Sequence, residues 1–334
     1  MLLGHSKINA FQRKLAEMLT TSSFGRKWMN NLSHVTLIEV GPRDGLQNEA
    51  VFVPTPIKIA LINLLSHSGL TNIETTSFVS PKAIPQLVDN EAVFLAIDKP
   101  AGVNFSALVP NVIGMERALR AGVQHIAIFT AASEAFNQRN IRCSIAESII
   151  RCAPVIELAR ANNVTIRAYI SCALGCPYEG SISPQQVCAV VQKIIALGVD
   201  EVSFGDTIGV GTPKQTIELI NAVADLLPLS QVAMHFHDTY GQAVANIYAA
   251  LAHGVYRFDS SVAGIGGCPY AQGASGNVAT EDVLYLMHGL GVATGVDIFK
   301  IVMAGDMICK ALGRKNQSKV ATALLGNINT CNRL

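Results

Sequence analysis

The sequence predicts a (β/α)8 barrel with an N-terminal extension and a short helical C-terminal appendix. Three observations carry that prediction. From about residue 35, short β-branched runs alternate with longer stretches of helical period. Eight such units fit into about 230 residues, the count and size of a TIM barrel. No G-x-G-x-x-G follows the first run, which argues against the alternative, an open doubly wound sheet.

The strand runs come in order. They are VTLIEVG (35–41), NIETTSF (72–78), NFSALVP (104–110), HIAIFTA (125–131), TIRAYIS (165–171), EVSFGDT (201–207), QVAMHFHD (231–238) and FDSSVAG (258–264). Between them lie helical segments such as TPIKIALINLLSHSG, VIGMERALRAG, AESIIRCAPVIELARANN, SPQQVCAVVQKIIALG, TPKQTIELINAVADLLP and GQAVANIYAALAHG. Several open on Ser or Thr before Pro and close on Gly, as helix caps do. ATEDVLYLMHGLG supplies the last barrel helix, and roughly 296–325 the appendix. The expected organisation is therefore an extension over 1–33, a barrel with its appendix over 34–325, and a tail over 326–334.

Half of the 334 residues are hydrophobic and few are charged, enough for a large buried core. The formal net charge is +1, with no basic stripe, zinc-finger spacing or aromatic-basic interleaving, so nucleic acid is not an expected partner. No apolar run reaches the ~20 residues that span a bilayer, so no membrane is expected either. Eight scattered cysteines in apolar contexts point to a reducing compartment. CALGC (Cys172, Cys176) has no second half-site and reads as structural. The first thirty-odd residues carry five Lys/Arg and one acidic residue, Glu17. A mitochondrial transit peptide has this look. Glu17 in its middle favours a cytoplasmic extension, with the mitochondrial matrix as the alternative.

In a barrel the chemistry sits at the carboxyl ends of the strands. On the seventh strand, alternation puts His235 and His237 on one face, roughly 6–7 Å apart, with Asp238 on the other. Two such imidazoles are either hydrogen-bonded core residues or ligands of one metal. The other strand ends decide for the metal. The first runs into Arg43 and Asp44, the second carries Glu74, the sixth ends in Asp206 and Thr207, and a glycine-rich loop after the eighth holds Cys268 and Asn277. With Asp44 and Asn277 as oxygen donors, the two histidines suit Mg²⁺, Mn²⁺, Co²⁺ or Zn²⁺, and an open octahedral site suits a chelating substrate.

Six segments then resemble one family. EVGPRDGLQNE (39–49), ETTSFVSPK (74–82), SCALGCPYEG (171–180), GDTIGVGTP (205–213), HFHDTYGQA (235–243) and SSVAGIGGCPYAQGASGN (260–277) are similar to the 3-hydroxy-3-methylglutaryl-CoA lyases, in that family's order and spacing. The likeness runs from about residue 35 to 320. It implies cleavage of 3-hydroxy-3-methylglutaryl-CoA to acetyl-CoA and acetoacetate, a step of leucine breakdown and ketone-body formation. It implies Asp44, His235, His237 and Asn277 as ligands of Mg²⁺ or Mn²⁺, Arg43 as the catalytic arginine and Cys268 as the catalytic cysteine. Glu74, Asp206, Glu281 and Asp282 fall on further positions at or behind the site. Asn140 falls where the family meets the CoA arm, and Thr207 is expected beside the substrate. A homodimer is the family expectation.

The residue types suit that chemistry. An alcohol loses its proton while the neighbouring carbon-carbon bond breaks, leaving the enolate of acetyl-CoA. A cation on the substrate oxygens lowers the hydroxyl pKa. Arg43, always charged, donates to the thioester oxygen as charge develops. A thiol such as Cys268, among glycines, protonates the carbon. Asp206 or a metal-bound water takes the hydroxyl proton, and both stay open. Glu281 and Asp282 open a helix, where carboxylates favour the dipole, and this account stands beside a catalytic one.

Two rivals remain. One is a related metal-dependent aldolase or acyl-CoA Claisen synthase; Leu46 stands where that branch has an acidic residue. The other is a catalytically silent CoA-binding scaffold. The chain also departs from the family pattern, with Ala83 in place of a tryptophan, and with Cys331 and a terminal Asn-Arg-Leu that carry over neither thiol regulation nor peroxisomal targeting.

Overall fold

The structure, a computed structural model, describes residues 34–80, 82, 84–267 and 276–331. The extension 1–33, Pro81, Ala83, the loop positions from Cys268 to Ser275 and the last three residues of the tail lie outside the described residues.

Eight strands close into one parallel barrel in sequence order: β1 (Thr36–Glu39), β2 (Asn72–Ser77), β3 (Asn104–Leu108), β4 (His125–Ala131), β5 (Thr165–Ser171), β6 (Glu201–Asp206), β7 (Val232–Phe236) and β8 (Arg257–Ser260). β8 pairs back onto β1. The helices that wrap them are α1 (Thr55–Ser66), α2 (Asn90–Ala96), α3 (Val112–Arg120), α4 (Glu134–Ile141), α5 (Ile145–Ala161), α6 (Pro184–Ile195), α7 (Pro213–Val223), α8 (Ala243–Ala252) and α9 (Thr280–Leu290). α10 (Ile298–Leu312) and α11 (Lys319–Cys331) form the appendix. α11 runs through the boundary expected at residue 325. No helix among the described residues is long and apolar enough to cross a membrane.

Period-two alternation sorts each strand. On β7, Val232, Met234 and Phe236 join the main core against the helices. Ala233, His235 and His237 take the opposite parity, and both histidines line the cavity at the barrel's carboxyl end. The helices are closed by the signals read in the sequence. Ser183 and Gln186 make a capping box on α6, with Pro184 in its first turn, and Thr212 and Gln215 do the same on α7. Gly313 ends α10 at φ 65°, the left-handed shape that favours glycine.

Two short helices, α2 and α4, fall outside the expected set. α4 (EAFNQRNI) shows little apolar periodicity, and the Ser133 side chain starts it by accepting from Phe136 N–H. β1 and β8 also end earlier than their apolar runs. After β1 the N–H groups of Arg43, Asp44 and Gly45 all converge on the Val40 carbonyl, winding 41–45 into one wide turn. After β8, residues 262–264 make a tight turn with Ala263 at φ 58°.

Two buried carboxyls hold those turns. Glu39 accepts from Gly41 N–H, Val262 N–H and the Thr280 hydroxyl, and Glu281 accepts from Ala263 N–H. Asp282 caps α11 by accepting from the Ser318 hydroxyl and Val320 N–H. Burial pushes Glu39 up to about 7 and Glu281 up to about 8, against the hydrogen bonds that lower them. A carboxyl raised in the folded state gives stability that is fully present below its unfolded value and is lost as pH rises through the folded one. Thermal stability is therefore expected to fall between about pH 5 and about pH 8. Glu281→Gln keeps an acceptor for Ala263 N–H and should flatten that fall, leaving the variant about 2–4 °C or more closer to the pH 5 value. Melting curves at the two pH values check this, and parallel slopes for both proteins would remove Glu281 as a source.

Candidate active site

His235 near the end of β7 and His237 just after it stand at the carboxyl end of the barrel. Their ring centroids lie 5.3 Å apart. His235 Nδ1 sits 3.1 Å from Asp259 Oδ2. A carboxylate only accepts, so Nδ1 donates, and in the neutral ring the lone pair then sits on Nε2. That Nε2 lies 4.0 Å from Asp44 Oδ2. Ligand atoms of Asp44, His235 and His237 all fall within 4.8 Å of one another.

Asn277 completes the group. It pairs with His237 in an isolated bridge just before α9. Its Nδ2 donates to Asp44 Oδ2 at 2.9 Å and to the Ile265 carbonyl at 3.3 Å. Two acceptors on that side fix the amide orientation. Oδ1 is thereby left buried with no hydrogen-bond partner, and so is His237 Nδ1. Buried lone pairs without partners are costly in a protein alone. Here the His237 ring belongs to a cluster with a carboxylate and a second imidazole, and Asn277 is hydrogen-bonded to that carboxylate, the residue types a divalent cation takes. The residues fit the metal that the sequence implied.

The charges agree with the geometry. Burial pushes His237 down to about 4, with the neighbouring His235 adding to it, so its ring is neutral and able to ligate. Burial also works against the charged form of His235, but the hydrogen bond and charge of Asp259 together hold its pKa above the usual value. Asp44 is brought down to about 2, against burial, chiefly by Arg43 and then His235.

Arg43 is buried and held from three sides. Its Nη1 donates to Asp44 Oδ1 at 2.7 Å and its Nε to Glu74 Oε1. The guanidinium stands 5.5 Å from the centroid of the Tyr169 ring, and Tyr169 OH donates to the other Glu74 oxygen at 2.8 Å. Glu74 thus touches Arg43 and Tyr169. Arg43, Asp44, Thr207, His235 and His237 line one cavity of about 850 Å³, and Asn140 lines it too. Thr207 also accepts from Cys172 N–H through its hydroxyl.

Asp206 stands elsewhere. It shares the outward parity of Val202 and Phe204 on β6, and its Oδ2 accepts from Gly211 N–H at 3.0 Å. It does not line the cavity. Burial raises it to about 6. Asp238 likewise faces away from the histidines and accepts from Ala243 N–H at the start of α8.

Three residues around the site went unnoticed in the sequence: Asp259, Tyr169 and Arg167. Each had a signal. Arg167-x-Tyr169 on the fifth strand and Arg257-x-Asp259 on the eighth place polar groups two apart, which puts both members of each pair inside the barrel.

Known proteins resemble the chain in sequence and in fold. The family model HMGL-like matches residues 34–308. The 3-hydroxy-3-isohexenylglutaryl-CoA/hydroxy-methylglutaryl-CoA lyase of Pseudomonas aeruginosa is 56% identical over 297 residues, covering 89% of this chain and 99% of its own length. The mitochondrial hydroxymethylglutaryl-CoA lyase of Mus musculus is 51% identical over 315 residues, covering 94% of this chain and 97% of its own. The crystal structure of hydroxymethylglutaryl-CoA lyase from Pseudomonas aeruginosa superposes with a TM-score of 0.87 at 55% identity, over 89% of this chain and 99% of that one. With a closed barrel, a donor set at its carboxyl end and this span of similarity, the chain belongs to the HMGL-like family.

Proposed function

We propose that this chain is a hydroxymethylglutaryl-CoA lyase and cleaves 3-hydroxy-3-methylglutaryl-CoA to acetyl-CoA and acetoacetate. One observation carries the reading: the Asp44, His235 and His237 donors and the guanidinium of Arg43 meet at one cavity large enough for the acyl end of a CoA ester, with Asn277 hydrogen-bonded to Asp44 beside them. Those four donors would hold Mg²⁺ or Mn²⁺, which supplies Lewis acidity toward the substrate's hydroxyl and carboxylate oxygens.

The chain's own residues do the rest. Glu74 and Asp44 occupy two of the five N–H donors of Arg43, and the remainder serve the thioester oxygen. The hydroxyl proton passes to a water molecule in the cavity, the bond between C2 and C3 breaks as the hydroxyl oxygen becomes the ketone of acetoacetate, and the bond's electrons pass into the enolate of acetyl-CoA. Arg43 stabilises that oxyanion without reorganising, since Tyr169, Glu74 and Asp44 already fix it. The Cys268 thiol gives its proton to the enolate carbon, and its thiolate regains a proton from the water that took the one from the hydroxyl. Asn140 receives the CoA arm. Asp206 holds the turn before α7 and so keeps Thr207 against the cavity. The enzyme works as a homodimer, and residues 1–33 leave it in the cytoplasm; light scattering and imaging of a fluorescent fusion check these.

The test is direct. Purified protein, 3-hydroxy-3-methylglutaryl-CoA and Mg²⁺ or Mn²⁺ are incubated with and without EDTA, alongside Cys268→Ala, and acetoacetate is measured. Metal-dependent product that falls by about 10²–10⁴-fold in the variant is expected for a general acid. Product unaffected by the substitution would remove Cys268 from the mechanism. No product with either metal would favour the aldolase or synthase, tested by the reverse condensation, or the silent scaffold, tested by CoA-ester binding alone.

A further inference from the structure

A column of ions runs up the inside of the barrel and ends on His235. At its foot, Glu201 opens β6 and Arg257 opens β8, and the two are paired. Glu201 Oε1 lies 3.1 Å from Arg167 Nε on β5. Arg167 Nη2 donates to Asp259 Oδ1 at 2.5 Å. Its guanidinium also stands 4.9 Å from the centre of the Tyr169 ring, so it is held on three sides. The second oxygen of Asp259 accepts from Ser203 Oγ at 3.0 Å and faces His235 Nδ1 at 3.1 Å. The register of the sheet sets this up, because His235 and Asp259 lie opposite each other on β7 and β8. Asp259 is 2% exposed and does not line the cavity.

We propose that Asp259, clamped by Arg167, is the positioning residue that keeps the proton of His235 on Nδ1 and so turns the Nε2 lone pair toward Asp44. The proposal rests on reading Asp44, His235, His237 and Asn277 as a cation site. The reasoning is one of donors and acceptors. Arg167 offers only N–H groups, so whatever stands at 259 must present oxygen to it. A carboxylate has oxygen on both sides and serves Arg167 and His235 together. An amide does not. In Asp259→Asn the oxygen stays with Arg167 and the NH₂ faces His235. Nδ1 must then accept, which drives the ring proton to Nε2, the atom aimed at the site. A partner of this kind behind a metal-binding imidazole governs affinity by about 10–100-fold.

The test reads metal binding and tautomer, not turnover. Free Mn²⁺ is followed by electron paramagnetic resonance as it is titrated into wild type, Asp259→Asn, and the double variant that adds Arg167→Gln. The expected result is a Mn²⁺ Kd raised about 10–100-fold in Asp259→Asn. Partial recovery is expected in the double variant. A glutamine side chain at position 167 can rotate to donate or accept, which frees the amide at position 259 to turn its oxygen toward His235. Equal Kd for wild type and Asp259→Asn overturns the proposal, and so does a double variant no better than the single one. Wild type that binds no Mn²⁺ fails the underlying reading instead, and is told apart by that. A second measurement needs no variant of Asp259. With ¹⁵N-labelled histidine in metal-free wild type at alkaline pH, and His235→Gln to assign the signal, the ring of His235 is expected to carry its proton on Nδ1. A proton on Nε2 overturns the proposal.

Discussion

Arg43→Gln is expected to lower kcat for 3-hydroxy-3-methylglutaryl-CoA cleavage by about 10²–10³-fold, with a much smaller change in Mn²⁺ affinity. The magnitude is that of losing one preorganised donor to a developing oxyanion. Preorganisation is the reason to expect so much. The guanidinium is buried, fixed by Glu74 and Asp44, and backed by Tyr169, so its charge is already placed when negative charge arrives. Burial opposes that charge, but Glu74 and then Asp44 hold the pKa above the ordinary arginine value. Gln is chosen because it can still donate to Glu74, which is 1% exposed and would otherwise be left with Tyr169 alone. Arg43→Lys should recover little, since a point charge cannot serve two carboxylates and a substrate in one plane. Equal falls in kcat and kcat/KM would locate the interaction in the transition state. A raised KM with unchanged kcat would show that Arg43 only binds substrate and would sink the assignment.

Much of this site was legible because two periodic rules cooperate. Alternation placed His235 and His237 on one face, and the barrel put that face on one rim with Asp44. Neither step needs a neighbour's side chain. Where a residue's partners are remote in sequence, the rules gave less. Glu74 reads as a carboxylate at a strand end, but its role depends on Tyr169, ninety-five positions away. Asp206 shows the limit of arguing from strand ends alone. Its position is at the rim, yet its parity is that of Val202 and Phe204, and the structure turns it outward to Gly211. The turn at 41–45 also escaped, because three N–H groups sharing one carbonyl leave no mark in hydropathy. Glu39 looks like an ordinary charged residue in the sequence and Glu281 like one that opens a helix, and only the closed barrel shows both buried beneath the two turns that flank the site.

His237→Ala is expected to have the second large effect, through the metal. In the protein alone His237 Nδ1 and Asn277 Oδ1 are buried without partners, so the site carries part of the cost of binding in advance. A cation that supplies those partners binds the folded state and not the unfolded chain, and the gain appears as RT ln(1 + [L]/Kd), about 2.7 kcal/mol at a hundredfold excess over Kd. For a chain of this length that is a rise in Tm of several degrees on adding Mn²⁺ to wild type. The variant loses one of two nitrogen donors from a set of four. Its Kd should rise by about 10²-fold or more, its Mn²⁺-induced rise in Tm should vanish at the same concentration, and acetoacetate formation should fall with it. Two readouts separate the possible failures. A variant with low activity but an undiminished thermal shift would place the cation elsewhere and leave His237 with a role in substrate contact only. A wild type whose Tm ignores Mn²⁺ and Mg²⁺ alike, while still cleaving substrate in EDTA, would remove the cation from the chemistry and leave Arg43 as the principal electrophile.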